Sequence, residues 1–516
     1  MQAVSLGHAG ILIRANGVTI ACDPWFVPAF HGSWFVFPRN DHLSDEVMHE
    51  VCNPDFLYIS HLHGDHFDAE FLRERMNKGT TVLLPDYPTR EMEREFNKLG
   101  FKTFHRTINE RATEIVPGLT VAIHVETSIT DGPGGDSALV VWNNDACLVN
   151  QNDCRTGDLA ALGAHARVDL HWLQYSGAIW YPTVYEMDAA EKKRLCDDKV
   201  ESQFARAMRY VEALDATTVV PSAGPPCFLD EELFGLNRID GTEASIFPDQ
   251  TEFQRRLAAV GRHNVATTIP GTVFSVVGGA VTVEQPLPGA EIEAIFADKA
   301  AYLRRYQADW APWLASLKAS RVGEPTDLVA TLALWWEPLL AMAPNVREGV
   351  GANCLLNAGD LPILINFANG TVTRHAGEPY GFRFDIARDL VESVVAARAV
   401  DWSNSLFLSC RFTAWREGEY NEYLYNFLKS LSVERMARTE SEASLKRNGV
   451  QSEEADVEVG GYVVQRRCPH RNADLSVFGE VDGEDLVCTL HGWRFSLEDG
   501  RCRNADGHAI RIRKRT

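Results

Sequence analysis

The segment Ile59-Ser60-His61-Leu62-His63-Gly64-Asp65-His66 constrains this chain more than any other stretch. It follows the apolar, strand-like run Asp55-Phe56-Leu57-Tyr58-Ile59 and places three imidazoles and one carboxylate within residues 61–66, too polar a composition for a core. A tight loop at a strand's end would turn His61 and His63 toward one ion, with Asp65 and His66 facing a second position beside it. Metal binding is therefore the expected use. A merely polar surface loop is the weaker reading, because the whole chain of 516 residues has only 16 histidines.

A second constellation lies near the other end, in Cys468-Pro469-His470 and Cys488-Thr489-Leu490-His491, with residues 471–487 between them. This is the ligand spacing of a Rieske [2Fe–2S] centre, in which two thiolates hold one iron and two imidazoles the other. Zinc competes, since a Cys₂His₂ set also suits it. The following Gly492-Trp493-Arg494-Phe495-Ser496-Leu497-Glu498-Asp499-Gly500-Arg501-Cys502 resembles the strand and turn after the second ligand pair of Rieske domains, which favours the cluster. Such a cluster is a one-electron relay and needs an acceptor.

A chain of this length exceeds one hydrophobic core and implies about three or four domains. It opens on a strand-like pattern rather than a basic segment and an apolar one, so no secretory signal is expected. No apolar run reaches the length of a membrane span. The expectation is a cytoplasmic protein with no membrane partner. A formal charge of -21 argues against nucleic acid as a partner. The 11 cysteines are scattered, several in apolar surroundings (Cys22, Cys147, Cys354, Cys410), and read mostly as buried thiols rather than a disulfide framework.

Residues Ala3–Ile13 and Val18–Trp25 read as two strands joined by a turn at Asn16-Gly17. Two strands, then a strand ending in the His/Asp loop, then a helix-like stretch from Ala69 to Met76, resemble the opening of the metallo-β-lactamase fold. His61, His63, Asp65 and His66 match that superfamily's metal motif as they stand. The pieces Gly7-His8-Ala9-Gly10 and Asp23-Pro24-Trp25 are similar to its branch of lactonases and phosphodiesterases. The resemblance implies a further metal carboxylate at Asp153, where the strand-like Ala146–Asn152 ends. His8 is then expected near the site, in a structural hydrogen bond. Two histidines usual in the superfamily are absent. The slot before Ser137–Trp142 holds Thr130 or Asp131, with His124 and Glu126 slightly early, and Val219–Gly224 carries none. What remains, two histidines and a carboxylate on one ion, resembles the facial triad of non-haem Fe(II) oxygenases, which leaves positions open for O₂ and substrate. Zinc, or a second metal, is compatible with the same donors.

A relay and an open metal site on one chain point to a monooxygenase. The helical motif of Rieske ring hydroxylases, Asp-x-x-His-x-x-x-x-His, is missing, and His165 and His171 do not fit its spacing. The mononuclear iron is therefore expected in the metallo-β-lactamase-like domain. Cys22-Asp23-Pro24-Trp25, Pro28-Ala29-Phe30, Gly32-Ser33-Trp34, Leu57–His63, Asn150–Cys154, the Gly177 region, Glu422-Tyr423-Leu424 and Phe427-Leu428-Lys429 resemble CMP-N-acetylneuraminate hydroxylase over most of residues 1–430. That family carries its Rieske domain at the N-terminus, so the resemblance implies the reaction class and not the sugar nucleotide. The implied activity is hydroxylation of a C–H bond, or oxygenation of a nitrogen, in a small-molecule polar metabolite. The implied partners are a ferredoxin- or cytochrome b5-type electron donor with its reductase, and a homo-oligomer is compatible with the sequence. The alternative is a zinc-dependent phosphoester or lactone hydrolase with an accessory Rieske module. Pure electron transfer fits least, since a Rieske domain alone would suffice.

The expected fold class is α/β multidomain. A metallo-β-lactamase-like αββα domain spans 1–285, a helical connector 286–325, a sterol-carrier-like α+β domain 326–433, a linker 434–456 and a small all-β Rieske domain 457–516. The third domain is read from a helix through Trp335 and Trp336, strands at 362–367 and 382–386, a turn at Asn369-Gly370 and a helix from Asp389. Segment 434–456 reads as a solvated helix or flexible linker. The run Arg511-Ile512-Arg513-Lys514-Arg515 could face an acidic reductase, although a solvated end is the commoner use of such a run. His171, Trp172, Tyr175, Trp180 and Tyr181 wall a substrate cavity or form a core strand.

Overall fold

A computed structural model describes residues 1–126, 135–321, 327–448, 455–469, 473–489, 493–503 and 508–515. The chain divides into two compact units. One comprises Met1–Glu126, Gly134–Thr183 and Asp188–Leu317, and the other Val184–Met187 and the chain from Lys318 onward.

The first unit is built on an eight-stranded sheet and a six-stranded sheet. Alternation along the strands explains how they pack. In Gly10–Ala15, Ile11 and Ile13 join a core with Leu139, Val141, Leu148 and Trp172 of the other sheet. Leu12, pointing the opposite way, packs with Phe71, Leu72 and Phe96 of the covering helices. Helix Ala189–Leu214 packs on strand Leu170–Gln174 of the six-stranded sheet. Helices outside two facing sheets make the αββα sandwich of the metallo-β-lactamase fold, as expected. The turn at Asn16-Gly17 is present, with both residues at positive φ (50° and 79°).

The stretch Ala3–Ile13 is not one strand but two, Gln2–Gly7 and Gly10–Ala15, antiparallel about a turn at His8-Ala9. Glycine's freedom is required here, since Gly7 has φ 90° and an added Cβ would lie 2.7 Å from Val36 Cγ1. The helices expected as a connector, Gly289–Ala297 and Lys299–Ser320, belong to the first unit through Leu317. Leu303, Tyr306 and Leu314 of the second pack on Phe35, Cys227 and Leu229. The boundary at 285 is corrected accordingly.

The second unit holds a five-stranded sheet in the order Thr371–Arg374, Leu361–Asn366, Cys354–Ala358, Phe382–Ile386 and Phe412–Arg416. Val184–Met187 pairs with its edge at Ala414. Helix Leu328–Met342 buries Trp336 in an apolar cavity lined also by Phe367, Phe384, Trp402 and Phe427. The expected linker needs correction in its first part. Val433–Asn448 is a helix that buries Met436 and Ala443, and its Glu440 accepts the backbone N–H groups of Asn345 and Val346, so it is packed rather than solvated. Two three-stranded sheets follow, built from Val457–Val459, Tyr462–Val464 and Ile512–Lys514, and from Gly479–Asp482, Asp485–Cys488 and Trp493–Ser496. In the basic tail, Arg511 and Arg515 pair with Asp456 and Glu458, so only part of that charge faces solvent alone. None of the 11 cysteines forms a disulfide. Among the described residues no helix is long and apolar enough to cross a membrane.

Replacing Gly7 by Ala should cost the first unit about 1–3 kcal/mol, through positive-φ strain and the contact with Val36. The check is the urea midpoint of the first unit's transition, followed by tryptophan fluorescence.

Candidate metal centre

The centre forms where four strand ends meet. Strand Phe56–Tyr58 feeds the loop carrying Ser60, His61, His63, Asp65 and His66. Asp23 lies just past Val18–Cys22, and Asp136 opens Asp136–Trp142. Strand Cys147–Asn152 ends with a register shift beyond Asn150 and with Asn152 at φ 55°, and Asp153 follows at once.

Carboxylates orient both buried imidazoles. His66 Nδ1 lies 3.2 Å from Asp23 Oδ2 and 3.2 Å from Ser60 Oγ. His61 Nδ1 lies 3.3 Å from Asp136 Oδ1 and 3.0 Å from Ser60 Oγ. A carboxylate beside Nδ1 draws the ring proton there and leaves the Nε2 lone pair for a metal, the usual support of a ligating histidine. His66 Nε2 is buried without a hydrogen-bond partner among the described residues, as is Asp153 Oδ1. The Nε2 atom lies 3.6 Å from Asp65 Oδ2 and 3.7 Å from Asp153 Oδ2. Donors around one ion with bonds of about 2.0–2.2 Å sit roughly 3–3.5 Å apart, so a small contraction around a cation would satisfy these atoms. The residues therefore fit a metal.

The donors group differently from the expected division. Ligand atoms of His61, His66 and Asp153 lie within 4.8 Å of one another, and those of His8, Asp65 and His66 form a second such set. His63 stands against His61, its Nδ1 2.7 Å from His61 Nε2. His8 Nε2 bonds Asp65 Oδ2 at 3.0 Å, the hydrogen bond anticipated for it. The electrostatics suit a cation. Burial would raise the Asp65 carboxyl, yet His66, His8 and His63 hold it well below the usual carboxylate range. Burial would lower His66, yet Asp65, Asp153 and Asp23 push it up to about 10. Burial raises Asp153, against the pull of His66 and His61.

Sequence reading missed Asp23 as the anchor of His66 and Asp136 as the anchor of His61. Asp136 opens the very strand before which a histidine was sought; a search for imidazoles passes over a carboxylate. Thr130 and Asp131 lie outside the described residues. His124 bonds His165 at 2.9 Å instead of joining the centre. In the late loop, Ala223 donates its N–H to the carbonyl of His8 at 2.9 Å. His171 and Trp172 are buried in strand Leu170–Gln174, with His171 Nε2 2.9 Å from Gln151 Oε1, so the core-strand reading holds for these two.

In the second unit, Cys468 and Cys488 are both buried. Cys468 follows Tyr462–Val464 with its N–H bonded to Ala473 O at 2.9 Å, and Cys488 closes Asp485–Cys488. His470 and His491 lie outside the described residues. Two buried sulfurs at loop and strand ends fit the thiolate half of a Rieske cluster.

Comparison with known proteins bears on the whole chain. Residues 328–444 match the family described as "Rv3818-like, SCP2-like domain", and residues 446–511 match the Rieske [2Fe–2S] domain. The chain is 42% identical over 521 residues to "Putative Rieske 2Fe-2S iron-sulfur protein Rv3818" of Mycobacterium tuberculosis, covering 99% of each. The chain belongs to the Rv3818-like family of Rieske 2Fe-2S iron-sulfur proteins. Likeness of this Rv3818-like chain to the cytidine monophosphate-N-acetylneuraminic acid hydroxylase of Pan troglodytes is 32% over 77 residues, 14% of this chain and 12% of that one. The resemblance read over most of residues 1–430 is thus only partial. Among solved structures, the metallo hydrolase Igni18 of Ignicoccus hospitalis aligns over 55% of this chain and 98% of its own, at 16% identity and TM-score 0.37.

Asp23→Asn should weaken binding of a divalent metal ion about 10- to 100-fold in the Rv3818-like chain, because His66 loses the carboxylate that fixes its tautomer. Competition with a chromogenic chelator, on protein shown to be folded by circular dichroism, gives the affinity.

Proposed function

We propose that this Rv3818-like chain is an oxidoreductase, a monooxygenase with a mononuclear iron in its first unit and a Rieske cluster in its second. The observation that carries this reading is a donor set of two buried imidazoles and one half-buried carboxylate, His61, His66 and Asp153, on a chain that also holds a one-electron relay domain. A hydrolase consumes no electrons, so zinc hydrolysis at the same centre would leave the Rieske domain without a role. The partial likeness to a hydroxylase supports the same class. When bound, iron and cluster would together supply the reduction of O₂ by single electrons.

The chain's own residues do the positioning. Asp23 and Asp136 keep the protons of His66 and His61 on Nδ1, and Ser60 Oγ bridges the two rings. His8 steadies Asp65. Burial of His61, Asp65 and His66 keeps bulk water from the donors, which protects an oxidation from wasteful reduction of O₂. The substrate in this reading is a small polar metabolite, attacked at C–H or at an amine nitrogen. A ferredoxin- or cytochrome b5-type protein with its reductase would supply electrons; the exposed Arg513 and Lys514 suit an acidic surface.

Anaerobically purified protein should contain about three irons and two acid-labile sulfides per chain. In His61→Ala/His66→Ala protein about one iron should be lost with sulfide unchanged. Two irons, with zinc lost in the variant instead, would return the reading to a hydrolase.

A further inference from the structure

The eight-stranded sheet ends on one side at Ala280–Glu284, which pairs with Val273–Val277 in a hairpin about Gly278-Gly279. Val273–Val277 has its other side on Gln2–Gly7, where Val276 donates its N–H to Met1 O at 2.8 Å. Backbone groups alternate in direction along a strand. Phe274 and Val276 therefore bond Gln2–Gly7, while Val273, Ser275 and Val277 bond their partners Glu284, Thr282 and Ala280. That leaves the peptide groups of Val281 and Val283 pointing outward, away from the sheet.

This edge has none of the usual protections against pairing. Its sequence, Ala280-Val281-Thr282-Val283-Glu284, is rich in β-branched residues and carries one charge, at its end. Its register with Val273–Val277 is unbroken. Val281 packs on the core between the two sheets, and Val283, on the same face, is 41% exposed. The edges of the other large sheets are blunted, as is the far edge of this one. Phe104–Arg106 is three residues long and ends on Arg106, ion-paired to Glu93. Thr113–Val116 is interrupted by a register shift, and Val219 of Thr218–Ser222 is bridged by Val265. In the five-stranded sheet, Val372 of one edge donates its N–H to Glu337, and Ala414 of the other bonds Val184–Met187.

The open strand is complementary to itself. Antiparallel pairing about a two-fold axis at Thr282 sets Val281 opposite Val283 of a second copy. Both have their peptide groups turned to the join, so four N–H···O bonds form. Between them Thr282 meets Thr282 in a pair without backbone bonds, and Ala280 meets Glu284, so no like charges face each other. The four valines fall on one face, which carries the apolar stripe of Phe274 and Val281 across the axis. A slip of one residue would face Val281 with Glu284, whose peptide groups are already turned to Val273, so the register is set. Val277 and Leu287, 75% and 39% exposed, add apolar surface beside the join.

We propose that Ala280–Glu284 is a homodimer interface, at which two copies of this chain join their eight-stranded sheets into one continuous sheet. This stands apart from the chemistry of the metal centre.

The test is sedimentation velocity of the full chain from about 1 to 100 μM, the range suited to an interface of modest size. A concentration-dependent dimer is expected. Val281→Pro removes an outward N–H without touching a bond inside the sheet, and Val283→Lys sets a charge at the join. Each should weaken the dimer at least about tenfold while keeping the circular dichroism of the wild type. Under mild oxidation Thr282→Cys should become a disulfide-linked dimer, since Cα atoms of such a pair lie about 4.5 Å apart. Ala280→Cys should not, because the two copies of that position lie about 14 Å apart along the strands. Wild-type protein, treated alongside, measures any linkage through the native cysteines. A chain that stays monomeric throughout that range overturns the proposal and leaves the edge to a different partner. A dimer that ignores both substitutions, or that links through Ala280→Cys as fully as through Thr282→Cys, overturns it as well.

Discussion

One buried carboxylate ties together the segments that make the centre. Asp23 is wholly buried and sits at φ 42° just after Val18–Cys22. Its Oδ1 accepts the Ser60 N–H at 2.7 Å, and its Oδ2 accepts from the Asn152 side-chain amide and lies 3.2 Å from His66 Nδ1. A buried carboxylate is costly unless its lone pairs are met, and here the donors come from both sheets of the sandwich. Ser60 and His66 follow a strand of the eight-stranded sheet, and Asn152 ends a strand of the six-stranded one. The interaction that joins the loops of the two sheets is thus the one that aims an imidazole at the centre.

That coupling gives the centre its electrostatic character. His66 is pushed up by the carboxylates around it while Asp65 is held down by the imidazoles, two faces of one interaction. A proton on His66 and a metal cation compete for the same Nε2, so binding an ion releases that proton and transfers its stabilising role to the metal.

Much of this was legible from local chemistry. The His/Asp loop, Asp153 after its strand and the Asn16-Gly17 turn each depend on a few adjacent residues, and each lies where its local sequence indicates. The fold class was legible through strand alternation and turn chemistry. The partners of the ligands were not, because Asp23 lies 43 residues from His66 and Asp136 lies 75 residues from His61, and only the pairing of strands brings them in. Helix Val433–Asn448 misled by composition. Its charged residues look solvated, but Glu440 and Lys446 face partners, Lys446 at 3.1 Å from the buried Glu422.

The absent histidines acquire a physical sense from the same geometry. Where a further ligand was sought before Ser137, Asp136 instead stands 3.3 Å from His61 Nδ1, supporting a ligand rather than adding one. In the late loop, an added Cβ at Gly224 would meet Tyr175 at 2.3 Å, so that position has no space for an imidazole. Both changes lower the number of protein donors, and the first orients one that remains. A cation that keeps fewer protein ligands keeps more open positions, which hydrolysis by a bound water needs little and an oxygenation, with O₂ and substrate both to be placed, needs more. The carboxylates behind His61 and His66 matter more in such a centre, because each remaining ligand holds a larger share of the ion.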